Sequence, residues 1–387
     1  MPKFPTIPLT AAGALVLGLG VAGYLGGWQL GWVELMVVAA GCLIAAVIAL
    51  PFIVGRMRVE VSRSLDPPRV MVGERAIAVL DVANPTGSPL RSRAIEDAVD
   101  DRFVRVEVPS LAPGGNHQAV YGLPTDRRGV LTVGPAIISR HDPLHLMRRE
   151  VRHADAQPFY VHPRYEPLAP LPVGFAKDLE GPTSDASPAG DVAFHALRDY
   201  EPGDDYRHIH WMSTARAAKP MVRHYVDNRR PQLLVVLDDR RTSLDGDEFE
   251  VAMEIAASLS VSALLHQEPL AIWTNAGPIV GRSKPGGRDD ILDRLAAASP
   301  SAEGDLTPTV LTGLRAEVGT SAAIVVTGGL DAADLLPVVS PARRRARIIV
   351  VRVWPAGAIE PGAVPGALVI DVDGLDAFRH AWRQVAR

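Results

Sequence analysis

The sequence contains a single cysteine, Cys42, so neither a disulfide framework nor a cysteine-based zinc cluster is available to it. Cys42 lies inside an apolar run and reads as a small hydrophobe. No excess of positive charge exists either: a formal net charge of −4 gives no electrostatic reason to expect a nucleic-acid partner. Charge is almost missing from residues 4–55, where Glu34 stands alone. Turn formers are plentiful, with 34 glycines and 33 prolines, as β-rich domains require, without reaching a disordered composition. At 387 residues there is room for two soluble domains, and for less if membrane spans take a share.

Two apolar runs, residues 8–27 and 35–54, are each long enough at ~1.5 Å per residue to cross a ~30 Å hydrocarbon core. Between them Trp28-Gln29-Leu30-Gly31-Trp32 places two tryptophans where an interfacial belt would sit. Spans joined by so short a turn are antiparallel. Gly23 and Gly27, four apart, would let the two helices approach closely. A signal peptide is the plainer alternative; the length of the first run and its meagre basic start, Lys3, argue against it. Lys3 before the first run and Arg56, Arg58 and Arg63 after the second put both ends on the cytoplasmic side. The expectation is a two-pass cell-membrane protein with both termini cytoplasmic, in contact with lipid through residues 8–54. The lone cysteine fits a reducing compartment.

From residue 57 to 165 the pattern has period two. Arg58-Val59-Glu60-Val61-Ser62 and Ala76-Ile77-Ala78-Val79-Leu80-Asp81-Val82 alternate, and residues 103–108, 117–121 and 130–133 continue. Turns such as Asn84-Pro85-Thr86-Gly87 and Ala112-Pro113-Gly114-Gly115 divide them, which predicts an antiparallel β-sandwich with no clustered catalytic groups. Asp142-Pro143 opens a turn and suggests nothing more.

Residues 166–190 are rich in Pro, Gly and Ser and read as a linker. In residues 191–387 strands alternate with helices. Leu233-Leu234-Val235-Val236-Leu237 has the unbroken apolar character of a strand buried on both faces, and a polar helix is expected from Asp331. The pattern predicts a doubly wound parallel α/β sheet, whose ligands meet the carboxyl ends of the strands. Asp238-Asp239 stands at such an end.

The stretch from Asp199 to Arg216 carries Tyr200, Pro202, Gly203, Asp204, Asp205, Arg207, Ile209, Trp211, Ala215 and Arg216 at the spacing Y-x-P-G-D-D-x-R-x-I-x-W-x-x-x-A-R. This resembles the signature of the domain-of-unknown-function family fifty-eight. Arg127-Arg128-Gly129-Val130-Leu131-Thr132-Val133-Gly134-Pro135 and Asp142-Pro143-Leu144-His145-Leu146 resemble that family as well. The resemblance implies an α+β multidomain chain: an N-terminal transmembrane helical hairpin, a β-sandwich, then a von Willebrand A-like domain. It also implies a MoxR-type AAA+ ATPase as partner, often beside a transglutaminase-like membrane protein, and no established catalysis.

Von Willebrand A-like domains often hold Mg²⁺ through D-x-S-x-S, a later threonine and a further aspartate. Here the first element is Asp238-Asp239-Arg240-Arg241-Thr242-Ser243, in which arginine replaces the middle serine in either frame. Thr307 or Thr309 would supply the threonine, and Thr327-Gly328-Gly329 follows the later strand where an aspartate is wanted. A guanidinium ~4 Å away opposes a divalent cation by about 8 kcal/mol at an effective dielectric of ~20. Mg²⁺ therefore requires both arginines to turn outward, leaving Asp238 and Thr242 to hold it. Otherwise Arg240 or Arg241 pairs with a carboxylate and the loop becomes a metal-free interaction surface.

Asp204, Asp205, His208 and His210 suggest a metal-dependent hydrolase. A structural network explains them more simply, with Arg207 and Arg216 paired to the carboxylates and Trp211 buried beside them. Ser213 lacks a nucleophile elbow. Arg343-Arg344-Arg345 and Arg347 suggest a solvated helix end or an anionic contact. The sequence thus favours a non-enzymatic membrane adaptor without cofactor, over a hydrolase or an outward-facing envelope-binding module.

Overall fold

A computed structural model describes residues 9–53, 59–171, 192–201, 206, 209–217, 219–227, 232–281, 286–301 and 304–386. The chain is mixed α+β and divides into two compact units, Met1–His162 and Pro163–Arg387.

In the first unit, helices α1 (Ala11–Leu30) and α2 (Val33–Ile53) form the hairpin. The helices leave only Gly31 and Trp32 between them; the first starts later than the predicted span and runs through Trp28-Gln29-Leu30. Gly31 at φ 67° makes the tight exit from α1, a left-handed conformation that favours glycine. The seam repeats every seven residues: Gly13, Gly20 and Gly27 are buried on α1, and Ala39, Ala46 and Ile53 on α2. A Cβ on Gly27 would lie 2.7 Å from Met36 Cγ and 3.0 Å from the Trp32 carbonyl, so small residues set the helix separation.

Among the described residues nine strands follow in two sheets. One is β1 (Glu60–Asp66), β3 (Ile77–Ala83) and β6 (Asn116–Gly122). The other runs β2 (Arg69–Met71), β9 (Gln157–His162), β7 (Gly129–His141), β4 (Arg93–Val99) and β5 (Arg102–Val108), with β8 (Arg148–Arg152) also on β7. All pairings are antiparallel except β2 with β9, which is parallel. Both sheets feed the same cores: Leu80, Val82 and Ala119 from one meet Ile95, Val108 and Ile138 from the other. One inward position on β4 is charged. Asp97 is buried, accepting from Arg63 Nη1 at 2.7 Å and Tyr121 Oη at 2.7 Å.

Asp142 does more than open a turn. Its buried carboxylate accepts the N–H groups of Leu144 (2.9 Å) and Met147 (2.6 Å), shaping the loop that receives α1. Thr10, the N-cap of α1, donates from Oγ1 to the His145 carbonyl at 2.8 Å. Arg149 caps the other helix by donating to the Ile53 carbonyl at 3.1 Å.

In the second unit, β10 (Val192–Asp199) pairs with β11 (Met221–Asp227), and α3 (Trp211–Ala217) lies between them in sequence. The main sheet has the order β14 (Gly277–Val280), β13 (Leu270–Thr274), β12 (Gln232–Leu237), β15 (Thr320–Gly328), β16 (Arg347–Val353), β17 (Leu368–Val372), parallel apart from β14. Helices α4 (Gly246–His266), α5 (Arg288–Ala297) and α8 (Leu375–Val385) cover one face. Helices α6 (Leu306–Ala316) and α7 (Ala332–Ala342) cover the other. β12 shows why its run is unbroken: Leu233, Val235 and Leu237 face one layer, Leu234 and Val236 the other. α7 is apolar, not polar as expected, burying Leu335, Val338 and Val339.

Among the described residues three helices are long and apolar enough to cross a bilayer: α1, α2 and α4. Their settings differ, since 72 % of the apolar window of α4 is buried in protein against 17 % and 22 % for α1 and α2. On α4, Ser258 and Ser262 return hydrogen bonds to the carbonyls four residues back and accept the N–H groups of Glu166 and Leu168. The first residues of the expected linker are therefore fixed on α4, with Leu168 and Leu171 buried; residues 172–190 lie outside the described residues.

Candidate functional site

β12 starts the main sheet. The chain crosses to β13 on one side, then returns past β12 to β15 on the other, so the strand order reverses between β12 and β15. The carboxyl ends of these two strands form the crevice where such sheets bind ligands. Asp238 directly follows β12 and Thr327 stands near the end of β15.

Asp238 is fully buried and every one of its near partners is a donor. Arg240 grips it bidentately, Nε to Oδ1 at 2.7 Å and Nη2 to Oδ2 at 2.8 Å. Thr327 Oγ1 donates to Oδ2 at 2.7 Å, and Asn275 Nδ2 to Oδ1 at 3.2 Å. Ser243 Oγ lies 3.0 Å from Thr327 Oγ1 and accepts the Gly328 N–H at 3.1 Å. Burial by itself would raise the Asp238 carboxyl pKa; the bonds from Arg240, Ser243 and Thr327, with the Arg240 charge, outweigh it and hold the group below its ordinary value. Asp239 moves the other way: burial raises it, and the Asn275 bonds offset only part. Its Oδ1 accepts the Asn275 N–H at 2.9 Å.

Of the residues expected in this loop, Asp238, Asp239, Arg240 and Ser243 converge, while Arg241 and Thr242 are exposed. Thr307 and Thr309 lie on the first turn of α6 instead of a loop. Thr309 Oγ1 reaches Asn275 Oδ1 at 3.0 Å, one residue removed from the carboxylate. Asn275 and the Thr327 hydroxyl complete the cluster without any sequence signal that pairs them with Asp238; strand order alone brings them together.

Mg²⁺ requires hard oxygens in a near-octahedral array. Here both oxygens of Asp238 face a fixed guanidinium, and Thr242 points to solvent, so this arrangement does not fit a divalent cation. Among the described residues no three His, Cys, Asp or Glu side chains gather into a metal-holding group.

A second network stands further along the same edge. Arg352 is buried and bidentate to Asp371 (Nε to Oδ1 2.7 Å, Nη2 to Oδ2 2.9 Å) and donates to the Leu330 and Gly362 carbonyls. Trp354 Nε1 donates to Asp371 Oδ1 at 2.9 Å. A Cβ on Gly328 would strike the Ser243 carbonyl and one on Gly329 the Trp354 ring, so Gly328-Gly329 fits between the two ion pairs because it has no side chains. Sequence reading missed this network. An arginine interrupting the apolar run Ile348-Ile349-Val350-Val351-Arg352-Val353 was the available signal.

Of the signature residues, Tyr200, Ile209, Trp211, Ala215 and Arg216 are described; Pro202, Gly203, Asp204, Asp205 and Arg207 lie outside the described residues, as does His208 of the hydrolase set. Tyr200 stacks on Tyr206 with ring centroids 5.6 Å apart. Trp211 is not buried as expected: it is 69 % exposed, beside Met212 at 65 %. His210 Nδ1 lies 2.7 Å from Ser213 Oγ and accepts the Ser213 N–H at 3.3 Å, the geometry of a cap on α3.

Residues 196–358 match the family described as Protein of unknown function DUF58. The matched stretch runs from within β10 through β11, the Asp238 cluster and the main sheet as far as β16. No curated protein matches the chain. Among solved structures, the CARDB domain of a Pyrococcus furiosus protein is similar at 18 % identity and TM-score 0.22, over 27 % of this chain and 86 % of that one. The putative ApaA protein of Bordetella pertussis is similar at 16 % identity and TM-score 0.20, over 27 % and 91 %. A β-glucosidase of Listeria innocua reaches 15 % and 0.17, over 28 % and 17 %. Likenesses this slight carry no argument about fold or function.

Proposed function

We propose that this chain is a membrane-anchored, non-enzymatic adaptor whose α/β unit, of von Willebrand A-like type, docks a MoxR-type AAA+ ATPase or its client. The β-strands of the first unit act in this reading as a sandwich-type spacer, and both termini lie in the cytoplasm. The observation that carries the reading is Arg240 locked onto Asp238 at the switch point of the sheet. The crevice where this architecture would bind a small ligand is filled by the chain's own ion pair. Its rim, with exposed Arg241 and Thr242, remains for contact with another protein. The match to DUF58 and the two apolar helices support the same picture. The ATPase follows from the family resemblance, and a transglutaminase-like membrane protein is a further candidate in the same assembly.

The test is crosslinking affinity purification of the tagged full chain from native membranes, with and without ATP. A nucleotide-dependent AAA+ ATPase that disappears on Arg241→Glu supports docking at this rim. Recovery of other membrane complexes without any ATPase would overturn it.

A further inference from the structure

The opposite edge of the main sheet bears a different chemistry. The turns entering β15 and β16 lie side by side there, because Ala322 is in register with Arg347. Between the last turns of α6 and α7 is a cleft lined by Leu311, Arg315, Ser340, Pro341, Arg344 and Arg345. Arg315, Arg344 and Arg345 are exposed, as is Arg343 at the C-cap of α7, and among the described residues none of the three cleft arginines has an ion pair.

Basic residues at helix ends are commonly no more than complements of the helix dipole, so the charges must be weighed. Two helix C-termini contribute about −0.5 each, or about −1 together. Glu317, buried at the C-cap of α6 against Trp273, adds one negative charge. Against four arginines this leaves about +2 unmatched, which the dipole explanation does not absorb. The turn between α6 and β15 also presents Val318, 71 % exposed, on the same edge. Planar guanidiniums around a cleft suit phosphate oxygens, which they bind bidentately. An apolar tip beside them suits the acyl boundary of a bilayer more than a soluble anion. The same chain carries two helices able to span that bilayer.

We infer that this arginine-lined edge, formed by Arg315, Arg343, Arg344 and Arg345 with Val318, is a contact surface for anionic phospholipid headgroups. The inference rests on the anchoring reading, so retention of the chain in membranes through alkaline extraction is established first and separately. The full chain, with Cys42→Ala and a fluorophore on Val318→Cys, is placed in nanodiscs of phosphatidylcholine alone or with phosphatidylglycerol, each containing nitroxide headgroup lipid. Quenching is expected in the anionic discs and not in the neutral ones. Three arginines near an anionic surface shift the bound-to-free ratio on the order of a hundredfold. The combined Arg315→Gln, Arg344→Gln, Arg345→Gln variant should lose the quenching, and so should the wild type near 1 M salt, where the screening length shortens to about 3 Å. Equal quenching in the two discs would overturn the inference. Quenching in anionic discs that survives the triple substitution would overturn it as well, leaving the cleft to a protein partner or to solvent.

Discussion

Arg240→Ala removes one half of the ion pair and leaves the Asp238 carboxylate, fully buried, with only neutral donors. An exposed pair would be worth about 0.2–1 kcal/mol. Breaking a buried pair costs about 3–5 kcal/mol, because the remaining charge loses its compensation. With the Asp238 side chain at 0 % exposure and Arg240 at 25 %, the buried case governs. Thr327 and Asn275 still donate to the carboxylate, which favours the lower end, about 3 kcal/mol. For a unit the size of Pro163–Arg387, at about 2–4 °C per kcal/mol, melting falls by about 6–12 °C. Thermal unfolding of the detergent-solubilised full chain measures it. The same substitution in an Asp238→Asn background should cost under about 1 kcal/mol, since no charge is then stranded. The deficit also shrinks towards pH 4, because the unpaired Asp238 takes up a proton. A fall of under about 2 °C, or an equal fall in the Asp238→Asn background, would refute the claim that Arg240 neutralises this site.

Arg240→Ser takes the opposing guanidinium off Asp238 and leaves only the neutral donors Thr327 and Asn275, so Mg²⁺ at about ten times its Kd should stabilise the variant by ~1.4 kcal/mol while leaving the wild type unmoved; a Mg²⁺ response in the wild type would contradict the neutralising role of Arg240. Asp239 has a raised carboxyl pKa in the folded chain. The folded state then binds more protons above about pH 4, and stability falls as pH rises through that window. Asp239→Asn keeps an acceptor for the Asn275 N–H, so the melting point of variant minus wild type should be more positive at pH 7 than at pH 4; no difference between the two refutes the shift. Asp142→Ala strands the Leu144 and Met147 N–H groups and should cost about 1–3 kcal/mol, read as faster proteolysis of the loop that receives α1.

Much of this architecture was legible where burial is uniform. β12 and β16 stand out as apolar runs, and α1 and α2 as apolar runs whose one charge is Glu34. β4 escaped because Asp97 occupies the inward position between Ile95 and Val99, and its partner Arg63 is thirty-four residues away. α6 escaped because Leu306-Thr307-Pro308-Thr309 looks like a loop; Asp305 caps it and Pro308 sits in the first turn, where its missing N–H has no helical partner to lose. At the site, the arginine in the loop after β12 could be read as a cation opposing a cation. Its bidentate grip on Asp238, and the roles of Thr327 and Asn275, depend on which strands become neighbours. That ordering is set by two crossovers and leaves no local pattern. Trp211 was expected inside as a neighbour of the carboxylate–arginine network, and nothing local distinguishes an exposed tryptophan from a buried one.

The most direct test of docking at the Asp238 rim is site-specific photocrosslinking from position 241 of the full chain in native membranes. Docking there predicts a crosslink to a AAA+ ATPase that depends on nucleotide state and is absent when the probe is moved to His380, exposed on helix α8. A crosslink that ignores nucleotide, or an ATPase captured equally from both positions, would contradict it.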